Sequence, residues 1–182
     1  MPDEGYWESL FDVGLILDRL KIDAALRDVA ELGCGYGTFT IPLAQRISGT
    51  VDTFDIEPDL IQRTQHRATH AGVFNVRCHH RDVFVEGFGL PSESRDACLL
   101  FNILHCEEPV RLLREAAKVV RAGGFVYAIH WRHDPQTPRG PSMDIRPHPE
   151  QIAAWAEETG MLVRDSGIVD LPPWHYGWRF AR

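Results

Sequence analysis

From residue 28 onward, short apolar segments alternate with longer segments that carry one polar face, and this alternation leaves few folds open. Residues 28–32 read as a buried strand and 38–47 as the helix after it. A second strand is expected at 50–56. The helix at 58–70 follows it, with proline in the first turn, where a missing N–H costs nothing. A third strand falls at 75–80 and a fourth at 96–102, whose sequence DACLLFN is nearly all apolar, as suits a strand covered on both faces. Residues 109–120 form a helix that stops at RAGG, and 125–131 a fifth strand. The chain then changes character: 132–149 carries five prolines and reads as a lid or a substrate-binding loop. A helix at 150–159 is followed by strand candidates at 162–170 and 176–180, whose LPPWH connection is too short for a parallel crossover. The expected fold is α/β, Rossmann-like and doubly wound: seven strands, mostly parallel with one antiparallel, and helices on both faces.

Composition narrows the setting. With 182 residues, 44% of them hydrophobic, the chain suits one domain over 1–182, with a helical lid or cap at 1–27 and the proline-rich loop at 132–149. No apolar run is long enough for a membrane span, and MPDEGYWESLF lacks the layout of a signal peptide, so a soluble cytoplasmic protein is expected, as a monomer or homodimer. A net charge of −7 makes nucleic acid a poor partner. Cys34, Cys78, Cys98 and Cys106 form no CxxC pair, and His66 with His70 offers two ligands on a polar helix without a third, so no metal is expected.

The chemistry concentrates in VAELGCGYGTF, residues 29–39. Gly33, Gly35 and Gly37 stand at the first strand-to-helix turn, where backbone approaches a ligand in such sheets. Their spacing is G-x-G-x-G, and Thr38 occupies the place where a dinucleotide fingerprint has its third glycine. Glu31 ends the strand; its charge would repel a pyrophosphate and suits a cationic ligand.

The segment VAELGCGYGTFTIPLA resembles motif I of the class I S-adenosylmethionine-dependent methyltransferases, in their small-molecule, type 11/12-like branch. The resemblance extends over most of the chain. It implies a cofactor site built from Glu31, Gly33, Cys34, Gly35, Gly37 and Asn102, with Asp55 on the ribose hydroxyls and Ile56 against the adenine ring. In CHHRDVF it places Asp82 at the adenine amino group, with the backbone N–H of Val83 beside it. The same residues have plainer readings: Asp55 as a helix cap and Asp82 as a turn residue.

Methyl transfer from a sulfonium needs alignment and exclusion of water, and a base only when the acceptor carries a proton. His105 and His130, beyond the fourth strand and near the end of the fifth, are the candidate bases. FNILHC at the fourth strand's exit lacks the Asn/Asp-Pro-Pro-aromatic signature of amine methylation on bases or protein amides, so a small-molecule acceptor is expected. Tyr6 and Trp7 are candidates to shape its pocket by folding over the cofactor as a lid, and Trp131 to form its wall, although an aromatic stripe such as 6–11 also serves as core. Two rival readings stay open: an NAD-dependent oxidoreductase, with Asp55 on the adenosine ribose, and an S-adenosylmethionine-binding module without turnover.

Overall fold

The computed structural model describes residues 3–182. Two short helices open it, α1 (Glu4–Glu8) and α2 (Val13–Arg19). Each is begun by an aspartate that accepts a first-turn N–H, Asp3 from Tyr6 and Asp12 from Leu15. Then follow β1 (Val29–Leu32), α3 (Thr40–Arg46), β2 (Val51–Asp55), α4 (Pro58–His70) and β3 (Val76–His80). The single turn α5 (Val83–Glu86) leads to β4 (Arg95–Phe101), α6 (Pro109–Val119) and β5 (Val120–Trp131). Past the proline-rich loop lie α7 (Pro149–Glu158), β6 (Val163–Arg164), β7 (Val169–Leu171) and β8 (His175–Ala181).

The sheet runs β3-β2-β1-β4-β5-β8-β6, with β7 also paired to β8. β1 to β5 are mutually parallel, and β8 is antiparallel to β5, β6 and β7. The strand order reverses between β1 and β4, so a crevice opens at their C-terminal ends. Apolar residues of α2, α3 and α4 pack on one face, among them Leu17, Leu43 and Ala68. Those of α5, α6 and α7, including Val83, Leu112 and Ile152, pack on the other. Tyr176, Trp178 and Phe180 share that second face, as alternation along β8 requires.

Two expected boundaries change. The strand at 162–170 breaks into β6 and β7, giving eight strands, because the chain bends at Ser166–Gly167 and the Ser166 hydroxyl accepts the Arg179 N–H in place of a ladder carbonyl. β5 begins at Val120: Val120 pairs with Arg95 and Phe125 with Ala97, so the glycines lie in an offset within the strand instead of before it. Beside that offset Asp96 accepts the N–H groups of Arg27 and Asp28 and pairs with Arg121, a structural role at the end of the sheet away from the crevice.

Candidate active site

The turn after β1 holds Gly33, Gly35 and Gly37 at φ of 85°, 52° and 77°, a left-handed backbone that side chains disfavour. Its outer carbonyls are fixed by α4: Thr64 donates to Gly35 O (3.0 Å) and Arg67 to Tyr36 O (2.7 Å). Arg67 also pairs with Glu4 and Glu8, tying α1 to the turn. From β2, Asp55 accepts the Gly35 N–H (3.1 Å) and, through its other oxygen, the Glu57 N–H (3.1 Å). The Asp55 carboxylate thus fastens the turn to the end of β2, whereas its expected capping alternative belongs to no side chain of α4.

Between these ends lies a cavity of about 170 Å³, lined by Leu32, Gly33, Asp55, Ile56, Asp82, Val83, Phe84 and Ile103. A Cβ added at Gly33 would meet nothing within 4 Å, so backbone alone borders open space there. Asp82 serves twice: it caps α5 by accepting from Phe84 N (2.9 Å) and Val85 N (3.3 Å), and it lines the cavity. Five expected cofactor residues therefore converge, namely Gly33, Asp55, Ile56, Asp82 and Val83. The lining carries two carboxylates and no basic side chain, which suits a neutral or cationic nucleoside better than a pyrophosphate.

Glu31, Cys34, Gly35, Gly37 and Asn102 lie outside that lining. Glu31 faces α3, not the crevice: it is 2% exposed and accepts from Thr40 (2.6 Å) and Thr53 (2.7 Å), and burial raises its pKa to about 7. Cys34 packs under the turn, and burial pushes its thiol far up. Asn102 stands at the exit of β4 with φ of 57°, its N–H donated to Ile129 O (2.8 Å). Its Oδ1 is buried without a partner among the described residues, a polar atom left for something to satisfy.

Two larger cavities continue along the same end of the sheet. One, about 620 Å³, lies between Phe84 and Val85 on one side and Cys106 to Glu108 and Arg111 on the other. The next, about 560 Å³, is bordered by His105, Cys106 and Glu107, by Asp144 to Pro147, and by Gln151 and Trp155. His105 Nδ1 lies 3.3 Å from His130 Nε2. His130 is fully buried, and burial lowers its pKa to about 3, so it is neutral near pH 7. The 132–149 loop is wound about one guanidinium: Arg146 donates to Arg132 O (3.1 Å), Asp134 O (3.2 Å), Pro141 O (2.7 Å) and the Thr137 hydroxyl.

Two expectations, on Trp131 and His130, are corrected by this packing. Trp131 is 2% exposed and cannot wall an acceptor pocket: Trp7, Phe11 and His175 surround it, and Gly140 approaches so closely that a Cβ there would sit 2.9 Å from the indole. Trp7 packs into the same cluster from α1, as core, while Tyr6 stays 44% exposed beside it. His130 cannot touch an acceptor, because no part of it is exposed; it reaches the cavity only through His105. Sequence reasoning missed Leu32, Phe84 and Ile103 as cavity walls, although each stands within two residues of a residue it did single out, Gly33, Asp82 or Asn102. His66 and His70 lie near each other on α4, and among the described residues no three His, Cys, Asp or Glu side chains form a group able to hold a metal.

No curated protein matches the chain in sequence. Solved structures match it in fold. A SAM-dependent methyltransferase from Aquifex aeolicus superposes with a TM-score of 0.84 at 19% identity, over 98% of this chain and 93% of that one. A putative type 11 methyltransferase from Sulfolobus solfataricus gives 0.68 at 20%, over 86% and 84%. Geranyl diphosphate C-methyltransferase from Streptomyces coelicolor, solved with S-adenosyl-L-homocysteine, gives 0.75 at 14%, over 93% and 78%. The family model described as a methyltransferase domain matches residues 29–124, from the first residue of β1 into β5 and so across the glycine turn, both crevice aspartates and the exit of β4. On this match the chain belongs to the methyltransferase-domain family, with the class I fold that its motifs implied.

Proposed function

We propose that the protein transfers a methyl group from S-adenosylmethionine to a small-molecule acceptor, releasing S-adenosylhomocysteine. The observation that carries this reading is the cavity at the ends of β1 and β2, with Gly33, Asp55 and Asp82 on its walls and no cation. When bound there, S-adenosylmethionine would supply an electrophilic methyl group on a sulfonium. Asp55, whose two oxygens accept the Gly35 and Glu57 N–H groups, would use its remaining lone pairs for ribose hydroxyls, and Asp82 with the Val83 N–H would meet the adenine edge. Ile56, 59% exposed, together with Phe84 and Ile103 offers the apolar surface a purine covers. The bare backbone at Gly33 leaves room for the sulfonium and its methionyl chain, and the orphaned Asn102 Oδ1 supplies an acceptor at the exit of β4. Glu31 contributes from beneath, by tying Thr40 of α3 and Thr53 of β2 together under the glycine turn.

The acceptor belongs in the neighbouring cavities, where His105 is the titratable ring on the wall. Each of them is of a size that takes a small molecule. A cytoplasmic setting agrees with four free cysteines, and no helix among the described residues is long and apolar enough to cross a membrane. Calorimetric titration with S-adenosylhomocysteine, and in parallel with NAD, tests the reading. Binding of the first alone is the expected result. Binding of NAD alone would replace this proposal with an oxidoreductase.

A further inference from the structure

The His105–His130 contact has an order of protons that the surrounding backbone dictates. His130 Nδ1 lies 3.4 Å from the carbonyl oxygen of Trp131, which can only accept. A bare Nδ1 there would set lone pair against lone pair in a fully buried place, so Nδ1 carries the hydrogen. Neutral imidazole has one N–H, hence His130 Nε2 is the acceptor and His105 must donate to it from Nδ1 across 3.3 Å. Neutral His105 then has no hydrogen left for Nε2, the atom on the other side of its ring. Among the described residues nothing hydrogen-bonds that atom, and His105 borders the 560 Å³ cavity.

We infer that His130 is a positioning residue that holds His105 in the Nδ1–H form, so that His105 Nε2 takes a proton from the acceptor, whose attacked oxygen or nitrogen therefore carries a hydrogen. This rests on the methyltransferase reading above. The hydrogen leaves as a proton for Nε2, and its bonding pair stays on the acceptor atom. Charge balances: the positive charge lost as a sulfonium becomes a thioether appears on the imidazolium and passes to water with its proton. The imidazolium keeps its Nδ1–H bond to His130 throughout.

The other charged or titratable groups around the pair do not disturb this order. Tyr176, across β8 from His130, gives its hydroxyl hydrogen to Pro147 O (2.8 Å). Arg146, in the loop, directs its N–H groups to loop oxygens and opposes a charge on His130. His175, next to Tyr176 along β8, is itself kept neutral by burial. Cys106 has its thiol raised by burial, and Glu107 and Asp144 are exposed at the cavity mouth, where they attract the imidazolium without competing for Nδ1. Burial also lowers the His105 pKa, so the ring is free to accept near neutral pH.

The test is a long-range 1H–15N correlation spectrum of the ¹⁵N-histidine-labelled protein at pH 8, with His105 assigned by loss of its signals in His105→Ala. The expected pattern for His105 is protonated Nδ1 and bare Nε2, the rarer imidazole tautomer. His130→Leu should return His105 to the Nε2–H form, and His130→Gln, whose carbonyl can still accept, should retain Nδ1–H. Nε2–H in the unaltered protein would overturn the inference, and that spectrum decides even if the leucine variant fails to fold. Transfer of labelled methyl from S-adenosylmethionine is then screened over alcohols, phenols and primary amines, with tertiary amines and thioethers in parallel. Incorporation into the hydrogen-bearing classes supports the acceptor assignment; incorporation only into tertiary amines or thioethers overturns it. S-Adenosylhomocysteine is titrated into the same sample: the expected tautomer without binding overturns the methyltransferase reading and the acceptor assignment with it, whereas binding with the opposite tautomer overturns the proton order and leaves the methyltransferase reading standing.

Discussion

Replacing Glu31 with glutamine isolates the effect of burying a carboxyl group beside the glycine turn. Glu31 is 2% exposed, and although Thr40 and Thr53 donate to it, burial outweighs them and lifts its pKa from 4.5 to about 7. Between these two values the folded protein holds a proton that the unfolded chain releases. The stabilising contribution is therefore complete below pH 4.5 and disappears as pH rises through about 7. At about 1.4 kcal/mol per pH unit, the interval from 4.5 to about 7 corresponds to about 3 kcal/mol. Glutamine keeps an acceptor for both threonines and cannot titrate. Urea unfolding of both proteins from pH 4.5 to 8.5, followed by tryptophan fluorescence, separates this group from all others, because their contributions cancel in the difference. The unaltered protein should lose about 3 kcal/mol relative to Glu31→Gln as pH rises from 4.5 to 7 and little beyond 8. Parallel stability curves would show that Glu31 ionises as an exposed carboxylate does, and the enclosure argument would fail.

Other expectations follow from individual contacts. Gly33→Ala should fold with a loss of about 1 kcal/mol for a left-handed side chain, yet bind S-adenosylhomocysteine at least tenfold more weakly in calorimetry, because its methyl group enters the cavity. Asp55→Ala should weaken the same binding at least tenfold, and unchanged affinity would remove both residues from the site. Arg146→Ala strands the part-buried loop carbonyls that its guanidinium satisfies, at a cost of about 1–2 kcal/mol, and should speed tryptic cleavage after Arg139; an unchanged cleavage rate would mean that the loop is held by something else. His175→Phe should make the protein less acid-sensitive. Burial lowers the His175 pKa to about 3, so its contribution is present above pH 6.5 and lost as pH falls toward 3. Between pH 7.5 and pH 5 the variant should lose about 2 kcal/mol less than the unaltered protein, seen as a smaller drop in Tm.

Glu31 and Trp131 show where reading a chain by itself reaches its limit. Each stands at a strand's crevice end, which made each a candidate ligand contact, but facing direction depends on what packs above. Glu31 alternates onto the face under α3 and meets Thr53 of the next strand. Trp131 is covered by Phe11 and by Gly140 of the loop. Asp55 and Asp82 were legible as strand-end acids because their contacts are local: Asp55 ends β2, Asp82 stands two residues past β3, and each accepts N–H groups of residues close in the chain or at the adjoining turn.

The order of strands and helices, the left-handed glycine turn and the acids at the ends of β2 and β3 were determined by the sequence, since periodicity, glycine backbone freedom and strand-end chemistry act over a few residues. Only the tertiary structure decided which groups meet across long separations: His105 with His130, Arg146 with the carbonyls of its own loop, and Glu31 with Thr53. Those contacts depend on register and packing between elements, and a shift of one residue in β1 or β5 would turn Glu31 or His130 to the opposite face.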